Sequence, residues 1–442
     1  MGSKSKEQYR NEINLDTEIV KLRIIFESVK DKRSLNASHK LPDILMSAYA
    51  MFSLKHSSLY DFEQQNHVEK MNLESIYSIK KVCSQTQLRD VLDHINPDFI
   101  RELFPKKFDT LKKTGLLDEF EHKIGGTEYL IVSCDGVQHF SSKKVSCPCC
   151  LTKSHKDGSV TYHHNMLCAA LVHPEKREVF LLDVEPIIQL DGSEKNDCER
   201  NAAKRLQANM AEKYKKYQKK YNFLFVEDAL YSNAPHIEAL QSNQCNYVLN
   251  VKPDSHKTLF AYIKGKRERK ELKTFSYTEN NVKHEFEYVN NVLLCNSSPT
   301  TRVNFIQYKQ TDANGKRTTF TWITNIKLAD NKLVTIMKAG RARWKIENET
   351  FNTLKNLGYH FEHNYGHGKD HLSTMFAYLM LLAFYIDQLI QACCHIFKQI
   401  EKKIVIKIKV WSTIKAIFQT NQLESVKDIY KHIAFLFQFK LE

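Results

Sequence analysis

The order of strands and helices between residues 129 and 252 constrains the fold of this chain more than any other feature. "YLIVSCDG" is a continuous apolar run, typical of a strand covered on both faces, and it ends in Asp135 and Gly136. Two more strands follow in a meander, in "VTYHHNMLCAALVHP" and "REVFLLDVEPI". The series continues as helix, strand, helix and strand, in "DCERNAAKRLQANMAEKYKKYQKKY", "FLFVEDALYS", "PHIEALQSN" and "CNYVLNVK". This order predicts an α/β fold with a mixed sheet flanked by helices.

The sequence on either side of this region differs in character. Residues 1–125 contain short helical patterns broken at Pro97 and Pro105, which suit either a DNA-binding module or a plain helical packing domain. Residues 253–326 alternate in hydrophobicity and contain turn signals such as "ANGK", so we expect a separate antiparallel β-insertion there. We predict an α-helical N-terminal domain at 1–125 and an α/β domain whose first part is 126–252 and whose final helices are 327–395. The β-rich insertion at 253–326 separates these two parts, and a helical tail follows at 396–442.

Charge and cysteine content indicate the partner and the compartment. Lys and Arg number 65 against 51 Asp and Glu, and the net charge of +14 favours nucleic acid as a partner first and an anionic membrane surface second. The eleven cysteines and a polar N-terminus without an apolar signal core predict a cytoplasmic, nucleoid-associated protein with reduced thiols. The apolar run "MFAYLMLLAFYI" is too short to span a bilayer, so we expect a buried helix and no membrane partner.

Three acidic residues are candidates for phosphodiester chemistry. Two Mg²⁺ ions about 4 Å apart can activate a nucleophile and neutralise charge on both the attacking and the leaving oxygen. Such ions take carboxylate oxygens from rigid elements. Asp135 and Asp228 follow buried strands, and Glu347 lies in the helical stretch "AGRARWKIENETFNTLKN". Each also has a structural alternative. Asp135 would be a turn residue, Asp228 a solvated residue opposite Glu227 on the strand, and Glu347 an i,i+4 partner of Arg343.

These stretches together resemble the DDE insertion-sequence transposases, in the branch whose RNase H-like domain carries a β-rich insertion before the last catalytic helix. The resemblance covers roughly residues 129–388. "YLIVSCDGVQHFSS" is similar to the motif of the first Asp and "FLFVEDALYSNAPHIEAL" to that of the second. "LDGSEKNDCERNAAKR" and "FEHNYGHGKDHLS" are similar to stretches of one subfamily. The resemblance implies Asp135, Asp228 and Glu347 as catalytic ligands of two Mg²⁺ or Mn²⁺ ions.

The third motif, "RWKIENETFNTLK", is similar to a signature in which Tyr, Arg, Glu and Lys recur on one helix. Arg343 and Glu347 match its Arg and Glu with three residues between them, and the resemblance implies that Arg343 and Lys355 bind DNA phosphates. Two departures stand out, because Gly340 occupies the Tyr position and Lys355 falls one residue late. Glu349 is a rival to Glu347, being six residues before Lys355.

The reaction that the resemblance implies is metal-dependent cleavage at transposon ends, followed by attack of the 3′-hydroxyl on target DNA. It also implies double-stranded DNA as partner and a homodimeric synaptic complex. The alternatives are a nuclease of the same fold that does not join strands, a decayed or domesticated copy that only binds DNA, and a zinc-binding interaction protein built around the cysteines.

Trp322, in "TFTWITNI", lies 25 residues before Glu347. Related transposases place a Trp near this point, where it stacks on a base flipped from the DNA end. The resemblance therefore implies a DNA-binding role for Trp322. The alternative is a core Trp in a β-strand.

A cysteine- and histidine-rich stretch, "SCPCCLTKSHKDGSVTYHH", lies between the first two strands of the meander. Cys147 and Cys150 form a C-x₂-C pair that lets two thiolates from one tight turn reach one tetrahedral ion. We expect His155 and His164 to complete a structural Zn²⁺ site, with His164 preferred to its neighbour because adjacent strand residues face opposite ways. The alternative is a reduced Cys-rich loop without metal.

Overall fold

The computed structural model describes residues 4–34, 36–189 and 199–441 of the chain. Within these residues, eleven strands form one mixed sheet, and helices pack against it. The strands are β1 Glu121–Ile124, β2 Thr127–Ser142, β3 Leu151–Ser154, β4 Val160–Leu171, β5 Phe180–Ile187, β6 Asn222–Glu227, β7 Asn246–Asn250, β8 Lys273–Glu279, β9 Val282–Cys295, β10 Ser298–Thr311 and β11 Arg317–Thr324. The predicted α/β class is confirmed.

The central strands have the order expected of an RNase H-like sheet. β2, β4 and β5 form the predicted antiparallel meander, and β6 joins the other edge of β2 in parallel, followed by β7 in parallel. β2 is longer than predicted, because it runs on to Ser142 with β4 alone after its pairing with β6 has ended. Asp135 therefore lies within β2, at the place where the sheet narrows.

The β-rich region is not separate from this sheet. β8 to β11 are antiparallel, but β11 also pairs with β7, with Trp322 opposite Asn250, so the region extends the central sheet. Pairing satisfies backbone groups that an edge strand would leave open. The region also begins with a helix, at Lys257–Glu268, which buries Leu259 and Ile263 one turn apart.

Short helices make up the N-terminal region, and several of them pack around one apolar helix late in the chain. They are α1 Lys6–Asn11, α2 Leu15–Glu27, α3 Leu41–Ser53, α4 Leu59–Ser75, α5 Gln85–Asp93, α6 Asp98–Arg101, α7 Leu103–Lys113 and α8 Leu116–Glu119. The later helices are α9 Glu199–Gln218, α10 Ala234–Ser242, α11 Lys257–Glu268, α12 Asp330–Arg341, α13 Asn352–Asn356, α14 Leu372–Cys393, α15 His395–Lys403, α16 Lys407–Thr420 and α17 Val426–Leu436.

The apolar helix is α14, and α2, α3, α5 and α6 contact it. By length and composition alone it could cross a membrane, but its most apolar window is completely buried in the protein. The prediction of a buried helix is confirmed.

The helical segment of residues 330–356, which we call the signature helix, is irregular at its centre. α12 passes into a 3₁₀ turn at Ala342–Trp344 and a π-helical turn at Ile346–Phe351 before α13 begins. Single π-helical turns are rare and occur frequently at functional sites. Here the turn contains Glu347.

Candidate functional site

Asp135 and Asp228 lie side by side at one edge of the parallel part of the sheet. Ser133 of β2 pairs with Val226 of β6, and each aspartate follows two residues later. Asp135 lies within β2 and Asp228 directly follows the last residue of β6, so the register sets the two residues at neighbouring positions on adjacent strands, which lie about 4.8 Å apart. Asp135 accepts a hydrogen bond from the amide of Gly136 at 2.9 Å, and Asp228 accepts one from the amide of Leu230 at 2.7 Å.

The signature helix brings Arg343 and Glu347 to this edge of the sheet. Its backbone is fixed on β2, because the Ser133 hydroxyl donates to the carbonyl of Arg343 at 2.9 Å. The guanidinium Nη1 of Arg343 lies 2.7 Å from Glu347 Oε1 and 3.5 Å from Asp135 Oδ2. One protein cation therefore lies between two carboxylates. Glu349, the rival on the sequence, instead has Lys345 as its cationic neighbour, at 4.0 Å.

The carboxyl of Asp135 has an unusual environment. Burial and the neighbouring Glu347 carboxylate raise its pKa well above the ordinary value, and the Arg343 cation only partly opposes them. Such a group favours the approach of further positive charge. Hard divalent cations with oxygen ligands suit a set of this composition. We use the name carboxylate cluster for Asp135, Asp228 and Glu347 together with Arg343.

Glu199 is a further carboxylate at this edge that sequence analysis missed. A Cβ on Gly136 would stand 2.5 Å from Glu199 Oε1, so a larger residue at this position would require the Glu199 side chain to shift. The Tyr231 hydroxyl donates to Glu199 Oε2 at 3.3 Å, while burial and the charge of Asp228 raise the pKa of Glu199. Its signals in the sequence were its place at the start of the long charged helix and its position within the subfamily-like stretch "LDGSEKNDCERNAAKR". Residues 190–198, which carry part of the subfamily resemblance, lie outside the described residues.

Lys355 and Trp322 lie apart from the carboxylates. Lys355 forms an ion pair with Glu362 at 2.8 Å. The Trp322 indole is 1% exposed and stacks on Phe320 with ring centroids 5.6 Å apart. A Cβ on Gly340 would come within 2.8 Å of this indole, which explains glycine at the Tyr position of the signature. Of the two alternatives for Trp322, core packing is the one observed, and base stacking stays a prediction that requires the indole to leave the core.

Two thiols and two imidazoles converge at the far end of β2 and β4. Cys147, Cys150, His164 and His367 form a group whose potential ligand atoms all lie within 4.8 Å of one another, and we call it the Cys/His cluster. Three of its members were predicted, but His155 was wrong as the fourth. The His155 ring lies at the other end of the β3–β4 hairpin, where Nε2 is 2.7 Å from the Thr161 hydroxyl.

His367 takes the place predicted for His155. It lies in the stretch "FEHNYGHGKDHLS", which sequence analysis associated with the subfamily and not with metal. Cys147 donates a hydrogen bond to Cys150 and thereby lowers the pKa of the Cys150 thiol to about 7. The cluster therefore offers soft and borderline ligands, which differ chemically from those of the carboxylate cluster.

Comparison with known proteins identifies a family. The family model described as "Transposase DDE domain" matches residues 131–385, which is more than half of the chain. Among solved structures, a cryo-EM structure of a piggyBac transposase synaptic complex with hairpin DNA is similar at 11% identity and a TM-score of 0.42, covering 98% of this chain and 80% of that one. The NurA nuclease from Sulfolobus solfataricus is similar at 10% identity and a TM-score of 0.22, covering 62% of this chain and 100% of that one. No curated protein has significant sequence similarity to this chain.

Proposed function

Because this chain belongs to the transposase DDE-domain family, we propose that it cleaves DNA at transposon ends and joins the freed 3′-hydroxyl to target DNA. The observation that carries the proposal is the register of β2 and β6, which sets Asp135 beside Asp228 at the edge that the signature helix approaches with Glu347. This arrangement supports one site built from Asp135 of β2, Asp228 directly after β6 and Glu347 of the signature helix, although 212 positions separate the first from the last.

We propose that Asp135, Asp228 and Glu347 hold two Mg²⁺ or Mn²⁺ ions. The fit rests on their oxygen donors and on the Glu347 carboxylate beside Asp135, which together with burial raises the pKa of Asp135. Bound there, such ions supply an activated nucleophile and stabilise the attacking and leaving oxygens. The chain itself contributes rigid placement, because Ser133 ties the backbone of the signature helix to the strand that carries Asp135.

DNA is the proposed partner, bound through its phosphates. In the proposal, Arg343 offers a planar fork and Lys355 a point charge to the phosphates of the transposon end. Support for a wider contact comes from Lys338, Arg341 and Lys345, which line a cleft along the signature helix. The indole of Trp344 beside them is 50% exposed.

The remaining parts of the proposal concern assembly and location. Residues 1–125 would contribute to DNA binding, since Lys30, Lys32, Arg33 and Lys106 border one cleft there. Two copies would hold two transposon ends in a synaptic dimer. A net charge of +14 suits a cytoplasmic protein that stays with the nucleoid. A structural Zn²⁺ ion held by Cys147, Cys150 and His164 completes the proposal.

One experiment separates this function from its alternatives. The protein is incubated with Mg²⁺, the genomic DNA that flanks its own coding sequence and a supercoiled target plasmid, and all ends and junctions are mapped. The proposal expects 3′-hydroxyls at fixed positions and their covalent joining to the plasmid. Cleavage without joining at any target concentration would indicate the nuclease. Binding without cleavage in either Mg²⁺ or Mn²⁺ would indicate a decayed copy.

A further inference from the structure

Five of the six separations between the four atoms of the Cys/His cluster lie within about 0.4 Å of the edges of a tetrahedral zinc site. The two sulfurs of Cys147 and Cys150 lie 3.7 Å apart, and His164 Nε2 is 3.4 Å from each of them. His367 Nε2 is 3.2 Å from both Cys150 Sγ and His164 Nε2. Tetrahedral zinc, with Zn–S about 2.3 Å and Zn–N about 2.05 Å, sets edges of about 3.8 Å between sulfurs, about 3.6 Å for mixed pairs and about 3.3 Å between nitrogens.

The hydrogen bonding of His367 also points to a cation. Its Nδ1 lies 2.7 Å from the carbonyl of Gly368, which can only accept, so Nδ1 carries the proton. Nε2 of the neutral ring then has a free lone pair, and it is aimed at Cys150 and His164. A metal-bound imidazole is oriented in the same manner, by donation from its other nitrogen.

The surroundings of the cluster make the site closed. Cys150, His164 and His367 are buried, and the ring of Phe140 packs on His367 with centroids 4.4 Å apart. The turn that carries the thiols is held by a hydrogen bond from the Cys150 amide to the Cys147 carbonyl, at 3.1 Å. Four protein ligands without an open position are typical of a structural zinc ion.

The loop that supplies His367 is held firmly by an N-terminal helix. The carboxylate of Asp93, at the end of α5, accepts hydrogen bonds at 2.7 to 3.1 Å from a run of backbone amides, those of Lys369, Asp370, His371 and Leu372. These amides begin two residues after His367 and lead into α14 at Leu372. His367 is therefore presented to the cluster by a preorganised loop.

We infer that Cys147, Cys150, His164 and His367 bind one Zn²⁺ ion, and that this ion clamps the hairpin beyond Asp135 to the loop beyond Glu347. β2 carries Asp135 and, five residues or about 17 Å further, Phe140, which pairs with His164. The signature helix carries Glu347 and leads into the loop of His367. The clamp therefore closes a ring that runs from His164 to its pairing partner Phe140, back along β2 past Asp135, across the Ser133–Arg343 hydrogen bond, and along the signature helix past Glu347 to His367. This inference does not depend on the proposed reaction.

The test is the zinc content of tag-free protein after dialysis against a mild chelator. The wild type is compared with His367→Ala, with the Cys147→Ser/Cys150→Ser double variant and with His155→Ala, the control from the same hairpin. We expect about one zinc per chain in the wild type and in His155→Ala, and at least fivefold less in the other two. Zinc well below one in the folded wild type, or equal retention by His367→Ala and His155→Ala, would overturn the inference.

A second measurement covers the case in which His367→Ala fails to fold. His367→Cys keeps a ligand at this position and should retain the metal with a third thiolate. After substitution with Co²⁺, its thiolate charge-transfer absorbance should exceed that of the wild type by about half, in proportion to three thiolates against two. Identical spectra for the two proteins would show that residue 367 is not a ligand.

Discussion

The carboxylate cluster takes Asp135 from β2 and the Cys/His cluster takes His164 from the neighbouring β4, but the two clusters differ in how their charge is satisfied. In the carboxylate cluster, Arg343 lies between Asp135 and Glu347 and already supplies a cation. In the Cys/His cluster, no lysine or arginine among the described residues forms an ion pair or hydrogen bond with any of the four side chains. The first cluster can exist without metal, whereas the second brings thiols and imidazoles together in a way that a metal ion explains.

From this difference we infer that the carboxylate cluster is an exchangeable metal site and the Cys/His cluster a structural one. An exchangeable site must tolerate the absence of its ions, and the guanidinium of Arg343 between the carboxylates allows this. A structural site is occupied permanently, so it needs no protein cation to replace the metal ion. In our account the Zn²⁺ ion stays bound and fixes the positions of Asp135 and Glu347, whereas Mg²⁺ ions bind and dissociate together with DNA.

The largest expected effect is loss of catalysis from the carboxylate cluster. Asp135→Asn, Asp228→Asn and Glu347→Gln should each lower the rate of strand cleavage by about 10³-fold or more, because several kcal/mol of metal-borne stabilisation is lost. DNA affinity, measured by fluorescence anisotropy, should change little, since phosphate contacts elsewhere supply it. Glu349→Gln is the matched control and should retain cleavage. Substantial cleavage by any of the three variants would remove that residue from the site.

Loss of the clamp should have the next largest effect. The Cys147→Ser/Cys150→Ser variant keeps all three carboxylates, but a displacement of Glu347 from Asp135 by about 1 Å could lower the cleavage rate about 10²-fold. Cys149→Ser, a thiol in the same turn, should behave as the wild type. The assay uses saturating Mg²⁺, so that weak ion binding does not obscure the result. Wild-type rates in a double variant free of zinc would show that the ion does not position the carboxylates.

Arg343→Gln sharpens the comparison between the clusters directly. Without the guanidinium between Asp135 and Glu347, the DNA-free protein should bind Mn²⁺ about tenfold more tightly, because the ion no longer displaces a protein cation. Titration followed by electron paramagnetic resonance gives the affinity. Lys345→Gln removes a charge from the same helix but not from between these carboxylates. Equal Mn²⁺ affinity for the wild type and Arg343→Gln would contradict the assigned role of the guanidinium.

The smallest predicted effect concerns Lys355. If it binds one phosphate, Lys355→Ala should weaken DNA binding a few-fold and reduce the slope of log affinity against log salt by about 1. Glu362→Gln removes its partner in the ion pair, so this variant should bind DNA slightly more tightly. An unchanged salt slope for Lys355→Ala would place this residue outside the DNA contact.

Much of the fold was predictable because it follows local pattern. Continuous apolar runs identified β2 and β6, and their order with the intervening helices fixed the meander and the parallel pair. The extension of β2 to Ser142 was missed because "VQHFSS" alternates and is not continuously apolar. The pairing of β11 with β7 was missed because the sequence of a strand does not indicate which distant strand it will pair with.

The functional residues show the same limit. The spacing of Cys147 and Cys150 is a local signal, and it predicted a metal turn. His367 lies 203 residues after His164, and only the tertiary fold brings the two rings together. Trp322 matched a position expected to bind DNA, but its indole is buried against Gly340 of the signature helix. This packing is possible because glycine has no side chain, and the sequence around Trp322 does not indicate it. Glu199 likewise reaches its place through the packing of α9.

The most direct test of the account is one sample in which both metals are followed together. Wild-type protein is dialysed against a mild chelator, its zinc is measured, and cleavage is assayed before and after addition of Mg²⁺ alone. The account predicts that dialysis abolishes cleavage, that about one zinc per chain remains, and that Mg²⁺ restores the full rate. Recovery that requires added Zn²⁺, or full recovery by protein that has lost its zinc, would contradict the separation of the two sites.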